Sequence, residues 1–315
     1  MYYIGIDIGG TKCAVLKGDE QMNIVDKVKF PTDGLANTLA RIFDEVERLM
    51  PAAAIGISCG GPLDEKQGII MSPPNLPGWD NVKIAEMLTE RFGIPAYLCN
   101  DANACALAEW RYGAGQGCEN MVFMTFGTGL GAGLIINGRL YSGTNGNAGE
   151  LGHIRLAEDG PIGYGKCGSF EGFCSGGGIA QLGKKYAEER FKSGTPTAFA
   201  KTADDIGKIT TKLIAEYADV GDPDAIAIFD MSARRLGEGL SIVIDLLNPQ
   251  RIVIGSVFAR CEKHFVNKMN EAIAREALAP SAAVCRVVPA KLAEQIGDVA
   301  ALTVAVEGVK NEKQR

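Results

Sequence analysis

The chain has 315 residues, of which 46% are hydrophobic and 22% charged. These proportions are typical of a globular protein and exclude a disordered or fibrous one. At about 100 to 200 residues per domain, a chain of this length has room for two domains. Its formal charge of −6 comes from 32 basic and 38 acidic residues without a basic face, so we expect no nucleic-acid partner.

The sequence also indicates a compartment. It contains no apolar run of about 18 residues that could span a membrane, and Met1–Gly10 lacks the basic region of a signal peptide. The nine cysteines are scattered and odd in number, which suits a reducing environment better than a disulfide framework. We therefore expect a cytoplasmic protein without a membrane partner.

Strand and helix patterns alternate along the first part of the chain. Two β-rich runs, Tyr2–Ile8 and Cys13–Leu16, flank a glycine-threonine turn and predict a hairpin. Apolar residues at spacings of three and four predict a helix over 34–50. Asn100 and Asp101 end a later strand and cap the helix after it. The predicted elements between these are a strand over 54–58, a helix over 84–92, a strand over 96–99 and a helix over 102–110.

A second hairpin of the same kind surrounds the turn Gly127–Gly131. Its strands are predicted over 121–126 and 132–136, and Asn137–Gly138 predicts a further tight turn. This similarity to the first hairpin predicts two related half-domains with a boundary near 113–117.

The segment 143–178 contains twelve glycines and little periodicity, which is typical of long irregular segments that hold function. Beyond it the pattern is mainly helical and ends in an amphipathic stretch over 298–308. The predicted helices here are 178–191, 203–218, 223–247 and 262–278, and the predicted strands are 251–254 and 285–289. Strands that alternate with helices place the chain in the α/β class.

The two glycine-threonine turns carry groups that could hold a phosphate. Backbone N–H groups and threonine hydroxyls bind phosphate oxygens without a competing negative charge. Two plain hairpin turns explain the same pattern equally well, since such motifs are short. The turn Gly127–Gly131 is not a dinucleotide fingerprint, because a strand and not a helix follows it, and the sequence has no P-loop.

Two aspartates end predicted strands, where ligands collect in open α/β folds. Asp7 ends the first strand, and Asp101 follows the strand over 96–99. One carboxylate could hold a metal ion through water while the other accepts a proton from an attacking hydroxyl. The alternatives are a turn aspartate for Asp7 and a helix N-cap for Asp101.

Three further polar side chains lie in the glycine-rich segment, namely Glu150, His153 and Glu171. Each of them could be a plain solvated surface residue. If they converge, they suit a polyhydroxylated ligand, whose hydroxyls must each be paired once they are buried.

Four motifs occur together in one order: Asp7–Lys12, Asn100–Ala104, Gly127–Gly133 and Gly149–His153. In order and spacing they resemble the ROK family of bacterial sugar kinases along nearly the whole chain. The resemblance implies two ribonuclease H-like domains of the actin/hexokinase ATPase type around a central cleft. It assigns the first domain to residues 1–115 with the C-terminal helix 298–315, and the second to 116–297 with a glycine-rich insertion over 143–178.

The roles of the family's residues carry over as implications of this resemblance. Asp101 would be the general base that accepts the proton of the sugar hydroxyl attacking the γ-phosphate of ATP. The residues implied in sugar binding are Gly61, Asn75, Asn100, Asp101, Glu150, His153 and Glu171. Those implied in ATP binding are Asp7, Gly9, Gly10, Thr11, Lys12, Thr128, Gly129, Gly131, Gly176, Gly177 and Gly255, with Mg²⁺ expected near Asp7.

One departure concerns a structural zinc that many ROK proteins bind with three cysteines and the histidine. In this chain Ile162, Tyr164 and Ser169 stand at the three cysteine positions. None of them supplies a thiolate, so we expect this zinc to be absent. A substitute site built from the histidine and the two nearby cysteines would lack a fourth ligand.

The resemblance implies an ATP-dependent hexokinase of glucokinase type that acts on the 6-hydroxyl of glucose, and a homodimer. Kinases for N-acetylmannosamine, N-acetylglucosamine, fructose and allose share the motifs, so the sugar stays open. A family repressor needs a DNA-binding module before the first phosphate loop, and we expect none because Asp7 lies near the start of the chain. A catalytically silent sugar-binding protein is the remaining alternative, which the retained Asp101 and both phosphate loops disfavour.

Overall fold

Two five-stranded β-sheets carry the helices of this protein in a computed structural model that describes residues 1–313. In chain order the strands are β1 (Tyr2–Ile8), β2 (Lys12–Asp19), β3 (Ile24–Pro31), β4 (Ile55–Cys59), β5 (Leu63–Asp64), β6 (Ile69–Ile70), β7 (Ala96–Asn100), β8 (Met121–Phe126), β9 (Leu130–Ile136), β10 (Arg139–Leu140), β11 (Ile162–Gly163), β12 (Lys166–Cys167), β13 (Arg251–Ile254) and β14 (Arg286–Pro289). The helices are α1 (Gly34–Leu49), α2 (Ile84–Phe92), α3 (Asp101–Tyr112), α4 (Phe170–Phe173), α5 (Gly176–Lys192), α6 (Ala203–Gly207), α7 (Thr211–Asp219), α8 (Pro223–Leu247), α9 (Val257–Glu276), α10 (Ala279–Val284) and α11 (Ile296–Lys313).

The chain divides into two compact units that alternate along the sequence. The first unit contains Met1–Gly117, Gly133–Ala148 and the chain from Lys291 onward. The second contains Cys118–Ala132 and Gly149–Ala290. Residues 133–148 thus belong to the first unit, whereas the sequence analysis assigns them to the second domain.

The first sheet has the order β3-β2-β1-β4-β7. Its first three strands are antiparallel, and β4 and β7 run parallel to β1. Strand β4 is buried along its whole length, as expected for a parallel strand covered on both faces. The apolar side of α1 covers one face and packs with Ile6, Ile57 and Trp79 in a common core.

Helix α11 packs against this sheet at close range. A Cβ added at Gly56 of β4 would lie 2.1 Å from the carbonyl oxygen of Ala301 and 2.4 Å from the backbone nitrogen of Ala305. Only glycine allows the helix backbone to approach the strand this closely. The predicted amphipathic character of 298–308 is wrong, because residues 298–307 are all buried between β1, β4 and α3.

The second sheet has the order β10-β9-β8-β13-β14, so the third, second, first, fourth and fifth strands follow one another as in the first sheet. Strand β13 runs parallel to both β8 and β14. Aromatic rings fill the core of the second unit, where Phe265 meets Phe126 and Phe229 edge to face with ring centroids 5.3 Å apart in each pair. The repeated order agrees with the predicted pair of related hairpins and confirms the α/β class.

The structure differs from the sequence prediction at several elements. The predicted helix over 203–218 is two helices, because Thr210 accepts a hydrogen bond from Leu213 N and starts a new helix there. Helix α9 begins at Val257 and has non-helical backbone angles at Cys261, so the predicted start at residue 262 coincides with the start of its second segment. Strand β3 has no counterpart in the prediction, since its alternating charged residues give it little apolar signal. None of the helices within residues 1–313 is long and apolar enough to cross a lipid bilayer.

We predict that Gly56→Ala lowers the free energy of unfolding by about 2 kcal/mol or more, because the new methyl group meets helix backbone that cannot rotate away. Urea denaturation of the purified variant measures this change. Gly207→Ala is the matched control, since nothing lies within 4 Å of a Cβ at Gly207. Equal midpoints for the two variants would contradict the close packing of α11.

Candidate active site

The junction of β7 and α3 presents two polar side chains of the first unit. Asn100 is the N-cap of α3, and its Oδ1 accepts hydrogen bonds from Ala102 N at 3.0 Å and Asn103 N at 3.4 Å. The N-cap of the helix is therefore Asn100. The sequence left the N-cap open as an alternative role for Asp101, and the structure does not assign that role to it. Asp101 accepts a bond from Ala102 N at 2.8 Å, while its side chain stays accessible to solvent.

Nearby protein shapes the charge of this region. Desolvation by the surrounding protein raises the pKa of Asp101 even though part of the residue is exposed, and the bond from Ala102 N opposes this rise without cancelling it. Burial, followed by repulsion from Asp101 and Asp298, raises the pKa of Asp7 to about 6, against the opposing effect of Lys29 and Lys12. The first unit therefore gathers carboxylates whose mutual repulsion a cation would relieve.

The first glycine-threonine turn lies between β1 and β2. Gly9 N donates to Lys12 O at 3.1 Å, and the Thr32 hydroxyl donates to Gly9 O at 2.6 Å. A Cβ added at Gly10 would lie 2.5 Å from the carbonyl oxygen of Asn75. The structure thus brings Gly10 and Asn75 into contact, while Thr11 and Lys12 remain exposed.

Two glycines flank the Asn100 and Asp101 side chains. A Cβ added at Gly61 would lie 3.5 Å from Asn100 Nδ2, and one at Gly60 would lie 3.9 Å from Asp101 Oδ2. These are ordinary contact distances, so a longer side chain at either position would cover the polar groups. The glycines leave both groups open to a ligand.

The second glycine-threonine turn, in the second unit, is held by Glu171. Gly127 N donates to Gly129 O at 3.0 Å, and Glu171 Oε2 accepts from Leu130 N at 2.9 Å. A Cβ at Gly129 would lie 2.7 Å from the same carboxylate oxygen. Glu171 therefore supports the turn directly, a contact that the sequence did not predict.

The start of α5 lies beside this turn. Gly176 N donates to Gly127 O at 2.7 Å, and a Cβ added at Gly177 would lie 3.4 Å from Thr128 O. The helix N-terminus offers a positive electrostatic potential next to the exposed Thr128. Gly131 and Gly255 complete the predicted set: Gly131 N donates to Thr125 Oγ1 at 3.0 Å, and Gly255 N donates to Met124 O at 2.9 Å.

Glu150 and His153 belong to a 3-10 turn beside the same loop. Both are exposed, and a Cβ at Gly152 between them would lie 2.3 Å from Leu130 O. Lys166 Nζ donates to His153 O at 2.7 Å. The second unit thus places Glu171 and Gly152 against the turn that carries Thr128, and Glu150 and His153 lie within two residues of Gly152 in the chain.

The residues at the zinc positions have other environments. Ile162 and Tyr164 are exposed, and the buried Ser169 hydroxyl accepts from Gly172 N at 3.1 Å. Cys167 and Cys174 each donate their thiol to a backbone carbonyl, of Gly160 at 3.1 Å and of Ser232 at 3.6 Å. Across residues 1–313 no three His, Cys, Asp or Glu side chains are grouped as metal ligands.

Sequence reasoning missed two acidic residues of the first unit, Asp298 and Glu65. Asp298 forms an ion pair with Lys27 and raises the pKa of Asp7. Glu65 Oε1 accepts from Asn100 N at 2.8 Å. An acid in the first turn of a predicted helix was a usable signal for Asp298, whereas Glu65 lies in a loop that carries no pattern.

Comparison with known proteins decides the family. A model described as the ROK family matches residues 3–307. The chain belongs to the ROK family. Among ROK relatives, the glucokinase of Halalkalibacterium halodurans is 34% identical over 267 residues, which are 81% of this chain and 79% of the relative. The glucokinase of Thermotoga maritima is 30% identical over 313 residues, covering 97% of this chain and 98% of the relative.

Solved ROK structures share the fold. The glucokinase of Streptomyces griseus, in complex with glucose and AMPPNP, is 30% identical with a TM-score of 0.77 over 98% of this chain and 100% of that one. The ROK hexokinase of Thermus thermophilus, also 30% identical, has a TM-score of 0.79 over 99% of this chain and 100% of that one. The predicted family and the actin/hexokinase ATPase fold are thereby confirmed.

The family also contains regulators. The DNA-binding transcriptional dual regulator NagC of Escherichia coli is 29% identical over 289 residues, covering 87% of this chain and 68% of the relative. The two glucokinase relatives are more similar in sequence and are matched over more of their length. Together the comparisons support a sugar kinase.

We predict that purified protein contains no stoichiometric zinc, because no thiolate stands at positions 162, 164 or 169 and both nearby thiols are bonded to carbonyls. Metal analysis by mass spectrometry measures the content per chain. A full equivalent of zinc that survives dialysis against a chelator would contradict this interpretation.

Proposed function

We propose that this chain transfers the γ-phosphoryl group of ATP to a hydroxyl group of a hexose, with Asp101 as the general base. The observation that carries the proposal is the placement of Asp101, which is open to solvent, is set at the start of α3 by the Asn100 cap and has a raised pKa. The S. griseus glucokinase, similar along nearly the whole chain, binds glucose and an ATP analogue. A sugar kinase that uses ATP agrees with both observations.

In the proposed reaction Asp101 accepts the proton of the attacking hydroxyl. Positioned proton transfer contributes about 10²- to 10⁴-fold to a rate. A carboxylate whose pKa is raised accepts a proton more readily than one in water, provided that it is ionised at the working pH. Phosphoryl transfer needs little covalent help, so positioning and charge neutralisation supply the rest.

The two glycine-threonine turns are proposed to bind the phosphates of ATP. Gly10 and Thr11 supply N–H groups and a hydroxyl, Lys12 supplies a positive charge, and Gly9 shapes the turn through its bond to Lys12 O. In the second unit Thr128 and Gly129 act in the same way beside the N-terminus of α5, and Gly131 shapes the turn through its bond to Thr125 Oγ1. Gly176, Gly177 and Gly255 are proposed to receive the adenosine end.

Asp7 is the proposed position for a magnesium ion bound together with ATP. Its carboxylate is repelled by Asp101 and Asp298, so a bound divalent cation would lower the electrostatic free energy of the group. When bound with ATP, Mg²⁺ supplies positive charge to the phosphate oxygens. Asp7 is proposed to hold that ion through water, and Lys12 to neutralise further phosphate charge.

The sugar is proposed to be glucose, phosphorylated at its 6-hydroxyl. Asn100, Glu150, His153 and Glu171 supply donors and acceptors for sugar hydroxyls, and Gly61 and Asn75 border the same ligand. N-Acetylmannosamine, N-acetylglucosamine and fructose are the alternative substrates. The competing function is that of a catalytically silent sugar-binding protein. The similarity to the regulator NagC is the reason to test for it.

A panel of hexoses tests the proposal. A coupled assay with ATP and Mg²⁺ monitors the release of ADP with each sugar. We expect this release to be fastest with glucose. Binding of a sugar by calorimetry without any ADP release would favour the silent binder. Faster turnover of an N-acetylated sugar would keep the kinase and change its substrate.

We predict that Asp101→Asn lowers kcat by about 10²- to 10⁴-fold while the Kd for the sugar changes little, because the amide cannot accept the transferring proton. Steady-state kinetics and calorimetry measure the two quantities. Asp44→Asn, an equivalent change at an exposed site on α1, is the control and should leave both unchanged. Equal losses of binding and turnover in Asp101→Asn would argue against the role of a base.

We predict that kcat falls as the pH is lowered, with an apparent pKa above the ordinary aspartate value of 3.8. The sign follows because the base must be ionised, and burial shifts the pKa of Asp101 upward. Rates measured from acid to neutral pH in constant ionic strength give the profile. An activity that stays constant down to the ordinary value would be inconsistent with Asp101 as base.

A further inference from the structure

Glu65 reaches the proposed catalytic segment from a neighbouring turn. It lies between β5 and β6, in the wall of a surface cavity of about 1140 Å³ within the first unit. Its Oε1 accepts from Asn100 N at 2.8 Å and from Asn103 Nδ2 at 3.2 Å. One carboxylate oxygen therefore binds the residue before Asp101 and the residue two positions after it.

The first of these bonds fills a gap at the edge of the sheet. Strand β7 is the last strand of the first sheet in the described chain, and Asn100 pairs with Cys59 on its inner side. N–H groups on the outer side of an edge strand have no neighbouring strand to accept them. Glu65 supplies a charged acceptor at the last residue of the strand. A hydrogen bond to a charged acceptor is stronger than one to a neutral acceptor.

The second bond fixes the helix that follows. Asn103 is buried, with 1% of its surface exposed, and its amide donates to the same oxygen. Asn100 in turn caps Asn103 N through its own side chain. The backbone that carries Asp101 is thus held on both sides by one carboxylate.

We propose that Glu65 is a positioning residue that holds Asp101 in place for proton transfer. The inference rests on the proposed kinase function and adds a residue to it. Glu65 touches no reacting atom in this scheme, and it acts through the backbone of Asn100 and the amide of Asn103. A displacement of about 1 Å at a catalytic group can cost about 10²-fold in rate, which sets the scale of the effect.

The other oxygen of Glu65 extends the contact to a second segment. Ser142 Oγ donates to Glu65 Oε2 at 3.3 Å. The carbonyl oxygen of Ser142 also accepts a hydrogen bond from Ala148 N at 3.1 Å. This bond joins the two ends of the segment 142–148, which lies just before Glu150 in the chain. Glu65 is therefore bound by donors from two directions, and its position is well defined.

Three substitutions separate the acceptor from the charge. Glu65→Gln keeps an acceptor oxygen for Asn100 N and should retain most of the activity. Glu65→Ala and Glu65→Met remove both oxygens, and Met keeps the length of the side chain. We expect both to lower kcat by about 10- to 100-fold with the KM for ATP unchanged.

A double-mutant cycle with Asp101→Asn tests whether Glu65 acts through Asp101. If it does, Glu65→Met causes no further loss of kcat once Asp101 is Asn. The same fractional loss in both backgrounds, or full activity of Glu65→Met, would overturn the proposal. Glu86→Ala is the control, because Glu86 lines the same cavity but pairs with Lys83 at 3.1 Å.

Amide hydrogen exchange provides a readout that does not depend on activity. Exchange at Asn100 should be faster in Glu65→Met than in the wild type and in Glu65→Gln, while exchange in α1 stays unchanged. Unchanged exchange at Asn100 would overturn the proposal even if the kinetics shifted. If the wild type phosphorylates no hexose, the proposed function fails, and the exchange result alone then decides whether Glu65 holds this segment.

Discussion

A carboxylate that serves as a base must stay open to substrate while protein nearby keeps its pKa high, and the junction of β7 and α3 provides both conditions. The cap is assigned to Asn100, so the neighbouring Asp101 is free of that structural duty. Burial raises its pKa, and a helix N-terminus next to it limits the rise. Asn100 therefore caps the helix, and the adjacent Asp101 is left for the proposed role of base.

The same arrangement brings carboxylates close enough together to repel one another. Burial, followed by repulsion from Asp101 and Asp298, raises the pKa of Asp7 to about 6. Lys27, paired with Asp298, and the lysines near Asp7 offset part of this repulsion. A site that gathers negative charge before its substrates arrive is suited to receive cations, in agreement with the proposal that ATP binds there as its magnesium complex.

Glycine solves two different problems in this protein. At Gly56 it lets a helix lie directly on a buried strand, which is a matter of stability. At Gly10 and Gly129 it lets a turn approach the backbone of Asn75 and the carboxylate of Glu171, two residues of the predicted sites. At Gly61 it leaves the Asn100 amide uncovered, so that a ligand can reach it. These glycines thus allow close approach in the core and ligand access in the loops.

Local sequence was sufficient where the signal is local. The two hairpins, the amphipathic helix α1 and the family follow from periodicity, turn residues and four ordered motifs, because these depend on neighbours in the chain. Strand β3 and the burial of residues 298–307 of α11 were decided by tertiary packing, which selects partners far away in sequence. The links from Glu171 to Leu130 N and from Glu65 to Asn100 N span 41 and 35 residues, so only the folded chain could reveal them. The sequence determines the type of each side chain, whereas the tertiary structure determines which distant group it meets as a hydrogen-bond partner.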